Sequence, residues 1–337
     1  MKELRVGIMG ATGMVGKELL KVLFDRKFPI GTLKLYASER SVGKKIKTPL
    51  GEITVELADT ADYSQLDIAF FAIGGGWPTE NAPKAKAAGC IVIDNSSTFR
   101  YDDNVPLIIP EINPDAIGDS KLLANPNCTT AIAAIPLWVI YKNFGLKKVI
   151  ISTYQSTSGA GNGGMEELET ETRKALEGEK PGNKIFAYPI PFNVIPHIDV
   201  FQENDYTKEE MKVVWETHKI FGDDNISISC TCVRIPTMRV HSESIVVETE
   251  KPITPEEARK LFEKTKGIEL KDDIANNIYP MPLTATNKYD VEVGRIRTNL
   301  IFKDHGLEFF VCGDQILKGA ALNAVQIGEL IVKQRFS

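Results

Sequence analysis

Short apolar runs alternate with amphipathic segments over the first third of the chain. Residues 4–9 have the apolar, β-branched character of a strand, and residues 14–24 carry apolar side chains at helical spacing. The alternation continues with strands at residues 33–36, 67–73 and 90–94 and a helix at residues 77–88. Strands separated by helices predict right-handed βαβ crossovers and a parallel sheet.

The pattern changes after Cys128. Residues 150–157 indicate a strand and residues 164–177 an acidic helix. Strand-like runs then occur at residues 227–233, 242–248, 298–302 and 308–312, with one clear helix between them at residues 255–264. Such a succession predicts a mixed or antiparallel sheet. The chain ends in a helix over residues 315–332, which we expect to return to the first domain.

These patterns predict an α/β protein of two domains. The first is a Rossmann-like parallel-sheet domain formed by residues 1–127 plus about 315–337. The second, residues 128–314, is an α+β domain with a mixed or antiparallel sheet. A chain of 337 residues is long enough for two cores.

Composition narrows the class of protein. The net charge of −5 argues against a dedicated nucleic-acid binder, and the basic cluster at residues 43–47 is interpreted as a solvated loop. The longest apolar stretch, residues 131–141, is too short to span a bilayer. Five cysteines without regular spacing do not predict a disulfide framework, and no secretory signal is visible. We therefore expect a cytoplasmic protein without membrane or nucleic-acid partners.

Three spaced glycines lie between the first strand and the first helix. This position suits a turn whose backbone approaches a pyrophosphate at a helix N-terminus. The expected cofactor contacts are Gly10, Thr12, Gly13, Met14, Val15 and Gly16. After the second strand, where NAD binders usually place an acidic residue, Ser38, Arg40 and Ser41 can donate to a 2′-phosphate, although Glu39 would oppose one. The sequence therefore favours NADP.

Cys128 is the candidate nucleophile. Pro126 and Asn127 fit the start of an apolar helix, so Cys128 falls in its first turn, where the helix dipole favours a thiolate. Cys90 and Cys312 lie in strand-like runs and are interpreted as buried filler. The pair at positions 230 and 232 has neither a second cysteine pair nor a nearby histidine, so no metal site is predicted.

A thiol nucleophile needs a base, and the chain has four histidines. His218 and His305 occur in charged segments and are expected at the surface, whereas His197 stays undecided. His241 lies close in sequence to Arg234 and Arg239, which indicates either an anion site or an ion-paired surface.

Four motifs in register carry a resemblance to a known family. They are the spaced glycines, N-P-N-C-T-T at residues 125–130, T-Y-Q-S-T-S-G-A-G at residues 153–161 and V-R-I-P-T-M-R-V-H-S at residues 233–242. Together they resemble bacterial-type aspartate-semialdehyde dehydrogenase from residue 6 to about residue 328.

The resemblance implies a function for individual residues. It implies Cys128 as nucleophile, His241 as acid/base and Gln155 as the residue that orients the acyl group. Substrate contacts implied are Arg234 for the carboxylate, Glu209 for the ammonium, and Arg100 with Lys212 for phosphate. Further cofactor contacts implied near the nicotinamide are Ser158, Gly159, Gln315 and Asn323.

The implied activity interconverts aspartyl phosphate and aspartate semialdehyde through a cysteine thioester, in lysine, threonine and methionine synthesis. The resemblance also implies a homodimer built on the second domain, with a tetramer as the alternative. N-acetyl-glutamyl-phosphate reductase is the nearest rival, but its motif tends to be N-P-G-C-Y. Glyceraldehyde-3-phosphate dehydrogenase has S-C-T-T-N, which this chain lacks. A non-catalytic, redox-sensing NADP-binding regulator is the alternative from another class.

Overall fold

The structure, a computed structural model, describes residues 3–336. The chain divides into two compact units. The first contains the chain up to Pro126 and again from Ala320, and the second is Asn127–Gly319. Across the described residues, no helix combines the length and the apolar character needed to cross a membrane.

A seven-stranded sheet forms the centre of the first unit. Its elements are β1 (Leu4–Met9), α1 (Met14–Asp25), β2 (Ile30–Ala37), β3 (Lys45–Thr48), β4 (Gly51–Leu57), β5 (Ile68–Phe71), α2 (Trp77–Ala87), β6 (Ile91–Asp94) and β7 (Leu122–Ala124). The strand order is β3-β4-β2-β1-β5-β6-β7, and every pair except β3–β4 is parallel. The order reverses beside β1, so the glycine loop lies at the switch point where such sheets bind ligands.

A six-stranded mixed sheet forms the centre of the second unit. Its elements are α3 (Cys128–Phe144), β8 (Lys148–Gln155), α4 (Gly161–Leu176), α5 (Lys208–Phe221), β9 (Ser227–Arg234), β10 (His241–Glu248), α6 (Pro255–Lys264), β11 (Ile268–Leu270), α7 (Pro282–Ala285), β12 (Val291–Thr298) and β13 (Gly306–Gly313). The strand order is β11-β12-β13-β10-β8-β9. One sheet face is buried because α3 packs on β10 and β13, α5 on β9 and α6 on β12.

The topology of this sheet brings three strand ends to one edge. Strands β8 and β9 are parallel and pair Gln155 with Arg234 at their last residues. Strand β10 is antiparallel to β8 and begins at that same edge with His241. Strand pairing alone therefore brings together Gln155, Arg234 and His241, three residues to which the family resemblance assigns a function.

The last helix, α8 (Leu322–Arg335), belongs to the first unit. It packs against α1 and β6, and Glu329 accepts two hydrogen bonds from Arg26, at 2.7 and 2.6 Å. A π-helical turn, Leu317–Ala321, precedes it. The return to the first unit begins at Ala320, later than residue 315, because Asp314 binds the backbone N–H groups of Ile316 and Leu317 in the second unit.

Two sequence expectations are wrong. The run at residues 298–302 is not a strand, because the side chain of Asn299 accepts the N–H groups of Ile301 and Phe302 and turns the chain after β12. Residues 45–47, expected in a loop, belong to β3. There Lys45 and Lys47 are exposed, while Thr48 closes a hairpin to β4 by hydrogen bonds to Leu50 and Gly51.

A carboxyl group in the interior of the second unit has no counter-ion among the described residues. Glu243 in β10 is fully buried, and neither of its carboxyl oxygens has a hydrogen-bond partner among residues 3–336. Burial raises the pKa of Glu243 well above its usual range. The protonated form is favoured because an uncompensated charge in apolar surroundings costs more than holding the proton.

We expect Glu243→Gln to raise the Tm near neutral pH. The folded-state pKa lies above the unfolded value, so this group's contribution to stability is complete below about pH 4.5 and falls as the pH rises from there. Glutamine has no proton to lose. Thermal unfolding of both proteins should show a gap in Tm that widens as the pH rises above about 4.5.

A paired carboxylate in the same sheet serves as the control. Glu292 is equally buried but accepts hydrogen bonds from Lys288 at 2.9 Å and Thr284 at 2.6 Å, so Glu292→Gln should not stabilise. A gap for Glu243→Gln that does not depend on pH would show that the buried group is not titrating.

Candidate active site

Cys128 is the first residue of α3. Asn127 caps the helix, and its side-chain oxygen accepts the N–H groups of Thr129 at 3.0 Å and Thr130 at 3.2 Å. Cys128 is partly exposed, whereas the other four cysteines are buried. The structure therefore presents one accessible thiol, at a helix end where the dipole favours a thiolate.

The buried cysteines are not arranged as a metal centre. The sulfur atoms of Cys230 and Cys232 are 3.7 Å apart on the buried face of β9. Within residues 3–336, no three His, Cys, Asp or Glu side chains are grouped so that they could hold a metal ion.

The ring of His241 is held through one nitrogen. Its Nδ1 accepts the backbone N–H of Ser156 at 3.2 Å, whereas Nε2 is buried with no hydrogen-bond partner among the described residues. Burial and the nearby charge of Arg234 lower the pKa of His241 to about 3. The ring is therefore neutral near pH 7, and its proton lies on Nε2 because Nδ1 is an acceptor.

Arg234 is a buried cation that forms no ion pair with another described residue, although the charge of Glu209 acts on it. Its side chain donates to the carbonyl of Ser156 at 2.6 Å and lies over the ring of Phe186, with 5.6 Å from the guanidinium carbon to the ring centroid. No carboxylate of the described residues forms an ion pair with it. A Cβ at Gly159 would lie 2.7 Å from Arg234 Nη1 and 3.2 Å from His241 Cε1, so glycine is needed for this approach.

Glu209 connects the start of α3 to β8. Its Oε1 accepts hydrogen bonds from Asn127 Nδ2 at 3.0 Å and Gln155 Nε2 at 3.2 Å, and its Oε2 from Lys212 at 3.0 Å. Burial by itself would raise the pKa of Glu209, but the Lys212 charge and these hydrogen bonds lower it to about 2. A buried carboxylate therefore lies close to the candidate nucleophile.

Lys212 is held between two carboxylates, Glu209 at 3.0 Å and Asp199 at 2.7 Å. Burial by itself would lower the pKa of Lys212, but the two anions raise it to about 12. The lysine is therefore charged at any physiological pH. Asp199 follows a Pro-rich loop and has a left-handed φ of 69°, and no motif in the sequence marks it as a partner of Lys212.

The segment after β13 packs against the candidate nucleophile. The side chain of Gln315 donates to Ser158 Oγ and accepts the backbone N–H of Val240 at 2.8 Å. In the π-helical turn, a Cβ at Gly319 would lie 2.7 Å from the Cβ of Cys128. These three contacts could not be predicted from the sequence, because they join segments distant along the chain.

The glycine loop of the first unit forms a close-packed turn. Gly10 has a φ of +90°, and a Cβ there would lie 2.5 Å from the carbonyl oxygen of Ala72. A Cβ at Gly16 would lie 2.1 Å from the carbonyl oxygen of Gly10. The turn therefore excludes larger residues and leaves its backbone open to a ligand, as dinucleotide loops require.

A cavity of about 570 Å³ adjoins this loop. Its lining includes Gly10, Thr12, Gly13, Ser38, Arg40 and Trp77. Ser41 is buried beside it and accepts a hydrogen bond from Thr12 at 3.2 Å, while Met14 and Val15 form the first turn of α1. The cavity has a size and a glycine cradle that fit part of a dinucleotide. Glu39 and Asp59 also line it, so Arg40 must act against two acidic neighbours.

Arg100 and Asn323 lie in the first unit and are both buried. Arg100 donates from Nε to the carbonyl of Asn125 and from Nη2 to that of Asn95, each at 2.9 Å. Asn323 Nδ2 donates to the carbonyl of Ile108 at 2.9 Å and to Asn125 Oδ1 at 2.7 Å. Both side chains therefore hold the backbone of their own unit.

Two family models match the chain. The model of the semialdehyde dehydrogenase NAD binding domain matches residues 5–120, and that of the semialdehyde dehydrogenase dimerisation domain matches residues 137–318. The matches place the chain in the class of semialdehyde dehydrogenases.

Individual relatives narrow this class. The aspartate-semialdehyde dehydrogenase of Aquifex aeolicus is 49% identical over 335 residues, with 98% of each chain covered, and that of Bacillus subtilis is 43% identical with 98% of each covered. Aspartate semialdehyde dehydrogenase II from Vibrio cholerae, solved in complex with ASA, is 43% identical with a TM-score of 0.96 and covers 100% of both chains. The chain belongs to the aspartate-semialdehyde dehydrogenase family.

Proposed function

We propose that this enzyme interconverts L-aspartyl 4-phosphate plus NADPH and L-aspartate 4-semialdehyde plus phosphate and NADP, through a thioester on Cys128. The observation that carries the proposal is the surroundings of that thiol. One accessible cysteine is the first residue of a helix. The charges of Glu209 and of the Cys128 thiolate act on Arg234, a buried cation that forms no ion pair among residues 3–336. A thiolate beside an anion-binding cation suits an aldehyde that carries a carboxylate.

The chain's own groups account for the covalent steps. In the direction of aldehyde oxidation, the Cys128 thiolate adds to the carbonyl carbon and forms a hemithioacetal. His241, neutral with its proton on Nε2, donates that proton to the oxygen on which negative charge develops, and it takes the proton back when the hydride leaves the adjoining carbon and the thioester forms. NADP, when bound, supplies the hydride acceptor. Cys128 is released as a thiolate when inorganic phosphate attacks the resulting thioester.

Charged residues of the second unit orient the substrate. Arg234 binds the carboxylate, and Glu209 binds the ammonium group because it is anionic and adjoins the nucleophile helix. Gln155, held by Glu209 and by Thr153 at 3.0 Å, orients the acyl group. Lys212 binds phosphate, which competes with Asp199 and Glu209 for the ammonium group of the lysine. Arg100 is the second phosphate contact, although its Nε and Nη2 groups already donate to the backbone carbonyls of Asn125 and Asn95.

The cofactor is NADP, bound at the glycine loop with Ser38, Arg40 and Ser41 around the 2′-phosphate. Contacts near the nicotinamide come from Ser158, Gly159, Gln315 and Asn323. We further propose that the protein acts in the cytoplasm as a homodimer, which the match to the dimerisation-domain model supports; a tetramer remains the alternative.

Arg40→Ala should weaken NADP binding by about ten- to a hundredfold, the range of a lost charge-assisted contact, and leave NAD binding within about twofold. Fluorescence titration with both cofactors measures the difference. Lys45→Ala is the control, since Lys45 is paired with Glu52 on the β3–β4 hairpin and does not line the cavity. Equal weakening of both cofactors would place Arg40 outside the 2′-phosphate site.

Phosphate-dependent formation of NADPH from aspartate semialdehyde tests the function directly. Activity that requires phosphate and fails with N-acetyl-glutamate semialdehyde supports the proposal. Preference for the acetylated substrate would indicate the reductase instead. NADP binding without turnover of either substrate would indicate a regulator.

A further inference from the structure

Helix α5 directs two buried carboxylates at one residue, the cap that precedes Cys128. Glu209 and Glu216 are seven residues apart, which places them two turns apart on one helix face. Both accept hydrogen bonds from Asn127. The family resemblance implies a role for Glu209 but none for Glu216.

The contact of Glu216 is made to the backbone. Its Oε2 accepts the N–H of Asn127 at 2.6 Å, and the side chain is fully buried. An N-cap N–H has no acceptor within its own helix and usually bonds to water or a nearby side chain. Here a carboxylate from another helix, 89 residues away along the chain, takes that position.

Every polar group of Asn127 is thereby held. Its backbone carbonyl accepts the N–H of Ala131 at 2.9 Å, its Oδ1 accepts from Thr129 and Thr130, and its Nδ2 donates to Glu209. Only the backbone N–H depends on Glu216. The two carboxylates of α5 therefore hold Asn127 at two points, Glu216 at its backbone N–H and Glu209 at its side-chain amide, immediately before the nucleophile.

We propose that Glu216 is a positioning residue for Cys128, and that its carboxylate oxygen acts as the acceptor that fixes the start of α3. The proposal rests on the proposed function only in treating Cys128 as the nucleophile. The useful property is the acceptor and not the charge, because an anion near the helix start opposes a thiolate. A side chain with an acceptor and no charge should therefore preserve the function.

Three variants separate these properties. Glu216→Gln keeps an acceptor oxygen at the same distance from the backbone, and Glu216→Met keeps the approximate size but removes the acceptor. Thr217→Val is the matched control, because Thr217 is the next residue of the same helix, equally buried, and its hydroxyl has no partner among residues 3–336.

Alkylation by iodoacetamide as a function of pH reports on the thiol itself. The four other cysteines are buried, so the fast-reacting group is Cys128. Glu216→Met and Glu216→Gln both lack the charge, and only Glu216→Met lacks the acceptor. We therefore expect the midpoint of Glu216→Met to lie about half a pH unit or more above that of Glu216→Gln, and its kcat to be about tenfold or more lower, with the KM for the aldehyde within about threefold. Glu216→Gln should keep kcat within about twofold and should not raise the midpoint above that of the unmodified enzyme, and Thr217→Val should match the unmodified enzyme in both.

Two results would overturn the proposal. One is a Glu216→Met protein with the same alkylation midpoint and kcat as Glu216→Gln. The other is a Glu216→Gln protein that loses as much as Glu216→Met at an unchanged Tm. If Glu216→Met does not fold, Glu216→Asp takes its place. Its shorter side chain withdraws the acceptor from the Asn127 N–H, so the alkylation midpoint should rise, but by less.

The experiment also separates this proposal from the proposed function. Alkylation needs neither substrate nor cofactor, so a shifted midpoint in a protein inactive toward aspartate semialdehyde would contradict the function and support the positioning role. Activity lost without any shift in the midpoint would contradict the positioning role alone.

Discussion

Replacing Cys128 with serine should lower turnover by about a thousandfold or more while NADP binding stays unchanged. A serine hydroxyl ionises far less readily than a thiol, and neutral His241 cannot restore the nucleophilicity of a thiolate. Steady-state rates with aspartate semialdehyde and phosphate, together with a cofactor titration, measure both parts of the prediction.

Cys90→Ser is the control for this substitution. Cys90 is fully buried in the first unit, and burial raises the pKa of its thiol to about 12, so its loss should not affect the chemistry. A Cys128→Ser enzyme that retained a tenth of the original rate would exclude the thioester mechanism.

Arg234→Leu should raise the KM for aspartate semialdehyde by about a hundredfold or more, the scale of a lost bidentate ion pair in a buried site. The kcat should fall as well, because the carboxylate anchor sets the distance from the aldehyde to Cys128. Arg234→Lys should restore part of the loss only, since an ammonium group cannot form two parallel hydrogen bonds. Kinetics with each substrate varied in turn measure these effects.

Two other arginines test whether the effect is specific. Arg100→Leu should act mainly on phosphate, and it should also lower the Tm because the side chain holds the carbonyls of Asn95 and Asn125. Arg173→Leu removes an exposed arginine of α4 and should change neither KM. If Arg234→Leu raised the phosphate KM and spared the aldehyde, the two anion sites would be reversed.

Arg239, five residues after Arg234, is a second candidate for the carboxylate because it also lies close to His241 in the sequence. Its Nε donates to the buried side chain of Asp314 at 2.6 Å, and Asp314 also accepts the N–H of Asn287 at 2.8 Å. A guanidinium already paired with a carboxylate is a poorer site for a second anion. This ion pair supports Arg234 for the role.

Local spacing in the sequence was enough to predict the dinucleotide loop and the helix that Cys128 begins. Glycines three residues apart between a strand and a helix, and an asparagine before an apolar helical run, act within one or two turns of chain. The local structures that these residues form depend only on residues nearby in the sequence, so the turn and the helix start can be predicted without knowing the fold. The same reasoning failed at residues 298–302, where apolar side chains suggested a strand but the side chain of Asn299 turns the backbone.

Only the tertiary structure decided the electrostatic state of the site. The bond from Ser156 to His241 spans 85 residues, that from Arg234 to Ser156 spans 78, and that from Asn127 to Glu216 spans 89. No spacing rule connects residues so far apart, because their proximity follows from strand order and from the packing of α5 against α3. The protonated nitrogen of His241, the absence of an ion pair to Arg234 within residues 3–336 and the contact of Glu216 with Asn127 therefore follow only from the folded structure, in which burial removes the water that would otherwise satisfy these groups.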